Sequence, residues 1–150
     1  MNRRRPRTEI ARKAKKESST RLPYHREGPG VRWVFFDSRH TPGAGLYAIV
    51  RTVSGLRKPP ESYVDEHAHS VPSYYLFVGD STDLSGLVAE VRIGGRRRQV
   101  RSPYGVFIPR EIQHYVRIVR GSGLFVHILL EENFRKSVRK CNAKNQRKKW

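Results

Sequence analysis

Residues 63–79 read YVDEHAHSVPSYYLFVG and place His67 and His69 two positions apart in an extended, β-prone segment. Side chains alternate between the two faces of a strand, so both imidazoles are predicted to leave the same face. Downstream, residues 105–116 read GVFIPREIQHYV and add His114 on another short strand, entered through a proline. Imidazole nitrogens are common ligands of transition metals. Three imidazoles that converge from two strands would form a metal site, and the sequence predicts one here.

These two segments resemble the two signature motifs of the cupin superfamily. In the first, the His-x-His pair is followed by a short polar link, an aromatic and aliphatic strand over 74–78, and Gly79. In the second, a glycine and a hydrophobic strand lead to Pro109 and, five residues later, to His114. The resemblance covers residues 51–130 and implies an all-β fold, the double-stranded β-helix or jelly-roll-like barrel, with one metal ion bound inside.

The sequence departs from the family's motifs in ways that bear on the metal site. Ser73 stands where the first motif supplies a glutamate ligand, so the resemblance implies a ligand set of His67, His69 and His114. Glu111 occupies a position where the second motif usually has glycine. The remaining departures are Glu61 in place of a glycine, Gly79 one place early, and Ile118 in place of an asparagine.

The hydrophobic periodicity predicts the same fold class without reference to the motifs. Besides the histidine segment, β-prone runs separated by turn residues occupy 31–37, 45–53, 74–78, 86–93, 97–101, 106–109, 112–119 and 123–130. About nine short strands at spacings of roughly 8–12 residues, with no convincing helix among them, are typical of a β-sandwich or barrel.

The net charge of +18 is concentrated towards the two ends of the chain. Residues 1–30 carry ten basic and three acidic side chains, residues 31–130 thirteen and eight, and residues 131–150 eight and two. Segments this polar and poor in apolar side chains do not repay the entropy cost of ordering. We therefore predict a basic, mostly disordered tail over 1–30, a cupin barrel over 31–130 and a basic C-terminal tail over 131–150.

Several features indicate a cytoplasmic protein. Cys141 is the single cysteine, so an intramolecular disulfide is impossible and the chain suits a reducing compartment. The sequence contains no apolar run long enough to span a membrane and no apolar core of a secretory signal. The basic tails could contact polyanions nonspecifically, and tail-driven nucleic-acid binding is one alternative function.

Other residues are candidates for supporting roles at the site. His127 lies in the apolar run GLFVHILL, and we expect it to be either a partner that orients a ligating imidazole, a fourth ligand, or a neutral core histidine. Ser73 is a further candidate for orienting a ligand. Asp65 and Tyr75 are candidate catalytic residues, because strand alternation places Asp65 on the face of the histidines. The alternative to a catalytic role is an exposed acid for Asp65 and a residue of the packed core for Tyr75. His25 and His40 are assigned no role.

The predicted ligand set constrains the chemistry. Three neutral imidazoles leave nearly the whole +2 charge on an ion, which favours a small, anionic, chelating substrate. The ion could be iron, zinc, nickel or copper. The cupin superfamily includes iron-dependent dioxygenases, so the resemblance favours Fe(II). An oxygenase-type oxidoreductase is therefore predicted, with a non-redox lyase or isomerase, or a non-catalytic binding protein, as alternatives. The resemblance also implies a homodimer.

Overall fold

The structure, a computed structural model, describes residues 10–139 of the chain. The described part consists mainly of strands, with a 3-10 turn at Ser19–Arg21 and one short helix, α1, at Phe134–Ser137. The ten strands are β1 (Lys15–Lys16), β2 (Val31–Phe36), β3 (Tyr47–Leu56), β4 (Ala68–His69), β5 (Ser73–Gly79), β6 (Leu87–Ile93), β7 (Arg96–Arg101), β8 (Tyr104–Ile108), β9 (His114–Leu129) and β10 (Val138–Arg139).

Eight of the strands form one antiparallel sheet, and six of these follow the order β1-β2-β3-β9-β5-β8. The hairpin of β6 and β7 joins this sheet through pairing of β6 with the first half of β9. Strands β4 and β10 form a separate two-stranded sheet. The predicted all-β fold is confirmed, and β9, the strand that begins at His114, pairs with three neighbours, β3, β5 and β6.

Strand β9 is continuous where the sequence predicts two strands, 112–119 and 123–130. Its first half pairs with β6, and its second half pairs with both β3 and β5. Gly121 and Gly123, at the change of partner, have φ angles of 102° and 148°. A Cβ on Gly121 would lie 1.8 Å from the carbonyl oxygen of Gly86. The two glycines therefore bend the strand without ending it. In the sequence, glycines at this spacing predict a turn between two strands.

Alternating side chains of the strands build one interior. On β5, the inward positions are Ser73, Tyr75 and Phe77, whereas Tyr74 and Leu76 face outward. The buried cluster joins residues from β2 to α1 and removes a large apolar surface from water, which is the main stabilising contribution to such a fold. Four histidines, His67, His69, His114 and His127, are buried among these side chains.

Part of the predicted N-terminal tail is ordered against the sheet. Lys15–Lys16 pair with β2, and Ser19 is buried with its hydroxyl donating to the carbonyl of Arg26 at 2.6 Å. Leu22 packs against the core cluster. The low apolar content predicts a mostly disordered tail, whereas backbone pairing and a few anchored side chains order residues 15–22 of it. Residues 1–9 lie outside the described range.

The beginning of the predicted C-terminal tail is also part of the fold. Phe134 and Ser137 of α1 are buried, and β10 pairs with β4, the strand that carries His69. The sequence signal was hidden because single apolar residues stand between charged ones. Residues 140–150, with Cys141, lie outside the described range. None of the helices in residues 10–139 has the length and apolar character that a membrane crossing requires.

Candidate metal centre

The backbone positions His67 and His114 directly opposite one another. They form an antiparallel bridge in which His67 N donates to His114 O at 3.2 Å and His114 N donates to His67 O at 2.9 Å. His69 is held from the same side, because its carbonyl accepts a hydrogen bond from Glu111 N at 2.7 Å. Glu111 has a φ of 65°, in the left-handed region that favours glycine. The turn before His114 thus keeps the conformation expected of glycine.

The three predicted ligand histidines meet in the interior. One ring nitrogen of each lies within 4.8 Å of the others, and the Nε2 atoms of His67 and His69 are 3.2 Å apart. Their ring centroids are separated by 4.8–5.2 Å. All three residues are at most 2% exposed. The convergence that the spacing of the two motifs predicts is present in the structure.

Hydrogen bonds at Nδ1 fix the tautomers of His67 and His114. His67 Nδ1 lies 2.8 Å from the carbonyl oxygen of Asp65, and His114 Nδ1 lies 2.8 Å from that of Ile112. A carbonyl oxygen only accepts, so each Nδ1 carries the proton and donates it. Each Nε2 atom is then unprotonated and offers a lone pair to the interior.

His69 reaches the same state through a hydroxyl. Its Nδ1 lies 2.8 Å from Ser137 Oγ, and Ser137 Oγ donates its own proton to the carbonyl of Phe134 at 2.7 Å. Because the hydroxyl proton is already committed, the His69 Nδ1 must donate to the oxygen. The Nε2 of His69 therefore also presents a lone pair. A residue of the predicted tail sets the tautomer of a predicted ligand.

The inward nitrogens lack the partners that neutral imidazoles need. The His67 and His69 Nε2 atoms face each other as two acceptors, and the buried Nε2 of His114 has no hydrogen-bond partner within residues 10–139. Buried polar atoms are seldom left unsatisfied, and such an atom calls for an explanation. A cation that accepts all three lone pairs satisfies them at once. The residues fit a metal ion bound through three Nε2 atoms.

Burial keeps the imidazoles neutral. It lowers the pKa of His67 and of His69, and it lowers the pKa of His114 to about 3, because a charged imidazole there would lose its hydration and would repel a second charge on the neighbouring His67. Neutral imidazole is the form that binds metal ions. The site therefore has metal-binding protonation at physiological pH.

Three other predicted residues, Ser73, Tyr75 and His127, line the interior without touching the ligands through hydrogen bonds. Ser73 Oγ and His127 Nε2 are buried and have no partner in the described part of the chain. The His127 ring lies 4.9 Å from the Tyr75 ring and 6.0 Å from the His69 ring, centroid to centroid. Burial lowers the pKa of His127 well below its usual value and raises that of Tyr75. The histidine is neutral, and its Nε2 is the ring nitrogen left without a partner in the described part of the chain.

Asp65 does not point at the histidines. Its carboxylate pairs with Arg26 at 2.9 Å on the surface, and only its carbonyl contributes to the site by accepting from His67. The alternation argument fails here because the strand that carries His69 begins at Ala68, so Asp65 and His67 lie in irregular backbone. The tyrosine is therefore the better placed of the two predicted catalytic candidates.

Sequence reasoning missed three contributors, His25, Phe134 and Ser137. The His25 ring lies 5.3 Å from both the His67 and the Phe134 rings, and burial lowers its pKa to about 3. The Phe134 ring lies 5.0 Å from that of His69. These residues belong to the segments predicted as tails, whose composition hid them. The signal available in the sequence was the presence of isolated aromatic residues, Tyr24, His25 and Phe134, in otherwise charged stretches.

A second group of potential ligands, Glu17, Asp37 and His40, is an ion-pair network. Arg39 pairs with both carboxylates, and His40 Nε2 lies 2.9 Å from Glu17. Because a guanidinium neutralises part of its negative charge, this group is a weaker candidate for a metal site than the three histidines are.

Comparison with known proteins supports the fold through structure alone. No family model matches the sequence, and no curated protein matches it significantly. A variant of oxalate decarboxylase from Bacillus subtilis aligns with a TM-score of 0.50 at 15% identity, over 83% of this chain and 32% of that chain. An RmlC-like cupin from Shewanella frigidimarina aligns with a TM-score of 0.45 at 13% identity, over 77% of this chain and 91% of that one.

The chain thus spans about a third of the length of the decarboxylase that it resembles. At 15% identity the likeness concerns the fold and carries no statement about the reaction. It agrees with the all-β architecture of the chain. The protein has a cupin fold.

Proposed function

We propose that the protein is a mononuclear metal-dependent enzyme that acts on a small, anionic, chelating substrate in an oxygenase-type reaction. His67, His69 and His114 hold the ion through their Nε2 atoms. The observation that carries the proposal is the set of three unprotonated, inward-facing nitrogens, each fixed by a hydrogen bond at Nδ1. Such bonds orient metal-ligating imidazoles and raise their basicity.

The missing carboxylate ligand supports an anionic substrate. Ser73 occupies the inward position at the start of β5, so no acidic side chain of this strand reaches the ligands. An ion held by neutral imidazoles keeps its full charge and gains from a ligand that neutralises it. A substrate that chelates through two oxygens, or through a sulfur and a nitrogen, fits this requirement.

The lining of the interior favours redox chemistry over proton transfer. The cavity beside His67 is lined by apolar, tyrosine, histidine and arginine side chains, and within the described residues no carboxylate lines it. Isomerases and lyases need a group that moves a proton to or from the substrate. Here the candidates are Tyr75, whose pKa is raised by burial, and neutral histidines. An iron ion held by His67, His69 and His114 would supply dioxygen chemistry in which the substrate provides the electrons, and such chemistry does not require a carboxylate at the site.

We also propose that the chain forms a homodimer through the outer face of β5, β8 and β9. Tyr74 and Phe107 are cross-strand partners with ring centroids 5.5 Å apart, and Leu76 and Leu124 extend the same exposed apolar surface. Apolar groups gathered on one face mark an interaction site more often than scattered ones do. A cytoplasmic location and nonspecific polyanion contacts by the basic ends stay predictions.

The test begins with elemental analysis of protein purified without an affinity tag. The iron-loaded protein is then placed in an oxygen electrode with a panel of chelating acids and diketones, including oxalate, the substrate in the name of the similar decarboxylase. We expect substrate-dependent oxygen uptake that is lost in His69→Ala. The matched control is His40→Ala, which removes a histidine outside the site. Bound iron with no oxygen uptake across the panel would favour the lyase, isomerase or binding alternatives.

A further inference from the structure

We propose that Arg32 and Arg51 form a carboxylate-binding site beside the metal centre. The substrate would then be a small molecule with two anionic groups, one on the ion and a carboxylate on the arginines. This inference rests on the proposed function for the first group only, because the arginine site is defined by residues that do not depend on the metal.

The two arginines are buried side by side. They are direct cross-strand partners on β2 and β3, and they are 6% and 4% exposed. Like charges directly opposite one another destabilise a sheet, and a buried charge without a counter-charge is costly. The fold thus keeps two guanidiniums in its interior at a cost that hydrogen bonds to neutral groups offset only in part.

No acid of the described chain neutralises either guanidinium. Arg32 Nη2 donates to the Tyr47 hydroxyl at 2.6 Å, and Arg51 donates to the carbonyl of Pro29 at 2.8 Å and to Ser19 Oγ at 3.3 Å. The ion pairs within residues 10–139 involve neither arginine. Burial lowers the pKa of Arg51, an effect that Tyr63 and the charge of Glu27 oppose only partly. Several N–H donors of the two planar groups remain for a ligand.

The arginines and His67 line the same cavity. It has a volume of about 30 Å³, and its walls include Tyr47, Tyr63 and His127. The Arg51 guanidinium lies 5.4 Å from the centre of the Tyr63 ring, and the Tyr47 ring lies 5.7 Å from the His127 ring. A ligand on the arginines would therefore also face the unpartnered Nε2 of His127.

A second cavity adjoins this one. A larger cavity of about 300 Å³ shares Leu22, Arg32 and Tyr47 with the first. Arg32 thus stands where the two spaces meet and can receive an anion from the outer space. The small inner volume favours a short carboxylate, which takes two parallel hydrogen bonds from one guanidinium.

The experiment measures binding of malonate to the full-length Zn(II)-loaded protein by calorimetry, with malonamide as the uncharged probe of similar size. We expect malonate to bind, malonamide not to bind, and Arg32→Gln and Arg51→Gln each to weaken malonate binding at least tenfold. Arg120→Gln, which changes an exposed arginine, is the control and should leave the affinity unchanged. Unchanged malonate affinity in both interior variants would overturn the proposal, and so would phosphate binding more tightly than malonate with the same dependence on the arginines.

A stability measurement separates a binding role from a structural one. If Arg32 is kept for an anion, Arg32→Met should raise Tm in buffer without carboxylates and abolish the Tm increase that malonate gives the wild type. A lower Tm in the absence of malonate, together with an unchanged malonate response, would contradict the proposal. Metal analysis of the same samples tests the proposed function independently, and binding of malonate to metal-free protein, lost in Arg51→Gln, would support the arginine site even if no metal is retained.

Discussion

His69 and Ser137 are joined by a hydrogen bond of 2.8 Å between Nδ1 and Oγ, although 68 residues separate them in the chain. The bond joins β4, the strand that carries a proposed ligand, to α1, the short helix that precedes the last described strand. It fixes the ring orientation and the tautomer of His69, since the serine proton is already donated to Phe134.

Replacing the hydroxyl should weaken metal binding without unfolding the protein. In Ser137→Ala, His69 Nδ1 loses its acceptor, and we expect metal affinity to fall about 10–100-fold, as for other hydrogen bonds to ligating histidines. Competition with a chromophoric chelator measures the change. The control is Ser102→Ala, which removes a buried hydroxyl that accepts from Leu87 N at 2.9 Å. Equal losses of affinity in both variants would indicate a general effect on stability.

The three proposed ligands should differ sharply from the fourth interior histidine. Alanine at position 67, 69 or 114 removes one of three donors, so each variant is expected to lose most of its bound metal. His127→Ala removes a ring whose centroid is 6.0 Å from that of His69 and should retain the metal. Elemental analysis after dialysis distinguishes the four variants. Retention of metal by all of them would place the ion elsewhere.

The neutral state of His127 predicts a pH-dependent stability. Burial places its pKa in the folded state below the unfolded value, so the unfolded chain binds more protons as pH falls below about 6.5. The free energy of unfolding therefore falls with pH over that window. In metal-free His127→Phe we expect a gain of ~1 kcal/mol at pH 8, because an unsatisfied nitrogen is removed.

The gain from His127→Phe should grow below pH 6.5 by up to about 1.4 kcal/mol per pH unit, since one protonation of the unfolded state no longer competes with folding. Urea unfolding of wild-type and variant protein between pH 5 and pH 8 gives both curves. Parallel curves across that range would mean that His127 titrates alike in the folded and unfolded states.

Removal of residues 1–9 and 140–150 should separate polyanion binding from metal binding. These two ends carry nine basic side chains and one acidic one, Glu9. Their deletion is expected to reduce both the affinity for heparin or duplex DNA and its dependence on salt, while the metal is retained. A longer deletion of residues 1–30 should also lower the affinity for the metal, because it removes the rings of His25 and Tyr24, which pack against the His67 ring. Full polyanion affinity after the shorter deletion would assign that binding to the barrel.

A charge in the exposed apolar face should dissociate the proposed homodimer. Leu76 and Phe107 are 40% and 57% exposed on β5 and β8. Leu76→Glu and Phe107→Glu place a carboxylate where a second copy would need apolar contact, so we expect a shift to the monomer mass in light scattering. Phe35→Glu, at an exposed position on β2, is the matched control and should leave the mass unchanged. A monomeric wild type would contradict the dimer.

The sequence predicted those parts of the molecule whose signal is local. Alternation and turn residues indicated most strands, and the His-x-His pair with His114 indicated the convergence of three rings. The continuous strand β9 was not predictable in this way, because Gly121 and Gly123 bend a strand here and end one elsewhere.

The supporting residues were less accessible to sequence reasoning for a related reason. His25 and Ser137 contact the site from segments of low apolar content, and their roles depend on tertiary contacts across more than 40 residues. Arg32 and Arg51 look like ordinary surface charges until the register of β2 and β3 turns both inward. The composition gives the number of charged residues but does not show whether a charged side chain is buried or exposed.

The interior histidines are held by pieces drawn from nearly the whole described chain, from the ring of His25 to the hydroxyl of Ser137. An incomplete chain emerging from the ribosome lacks this pocket, so under the proposed function the ion cannot act as an early nucleus of folding, as zinc does in a finger. Loading would be a late step in maturation. The ratio of tightly bound metal to protein in a preparation would then equal the fraction of completely folded molecules. Truncated or misfolded chains would contain no metal.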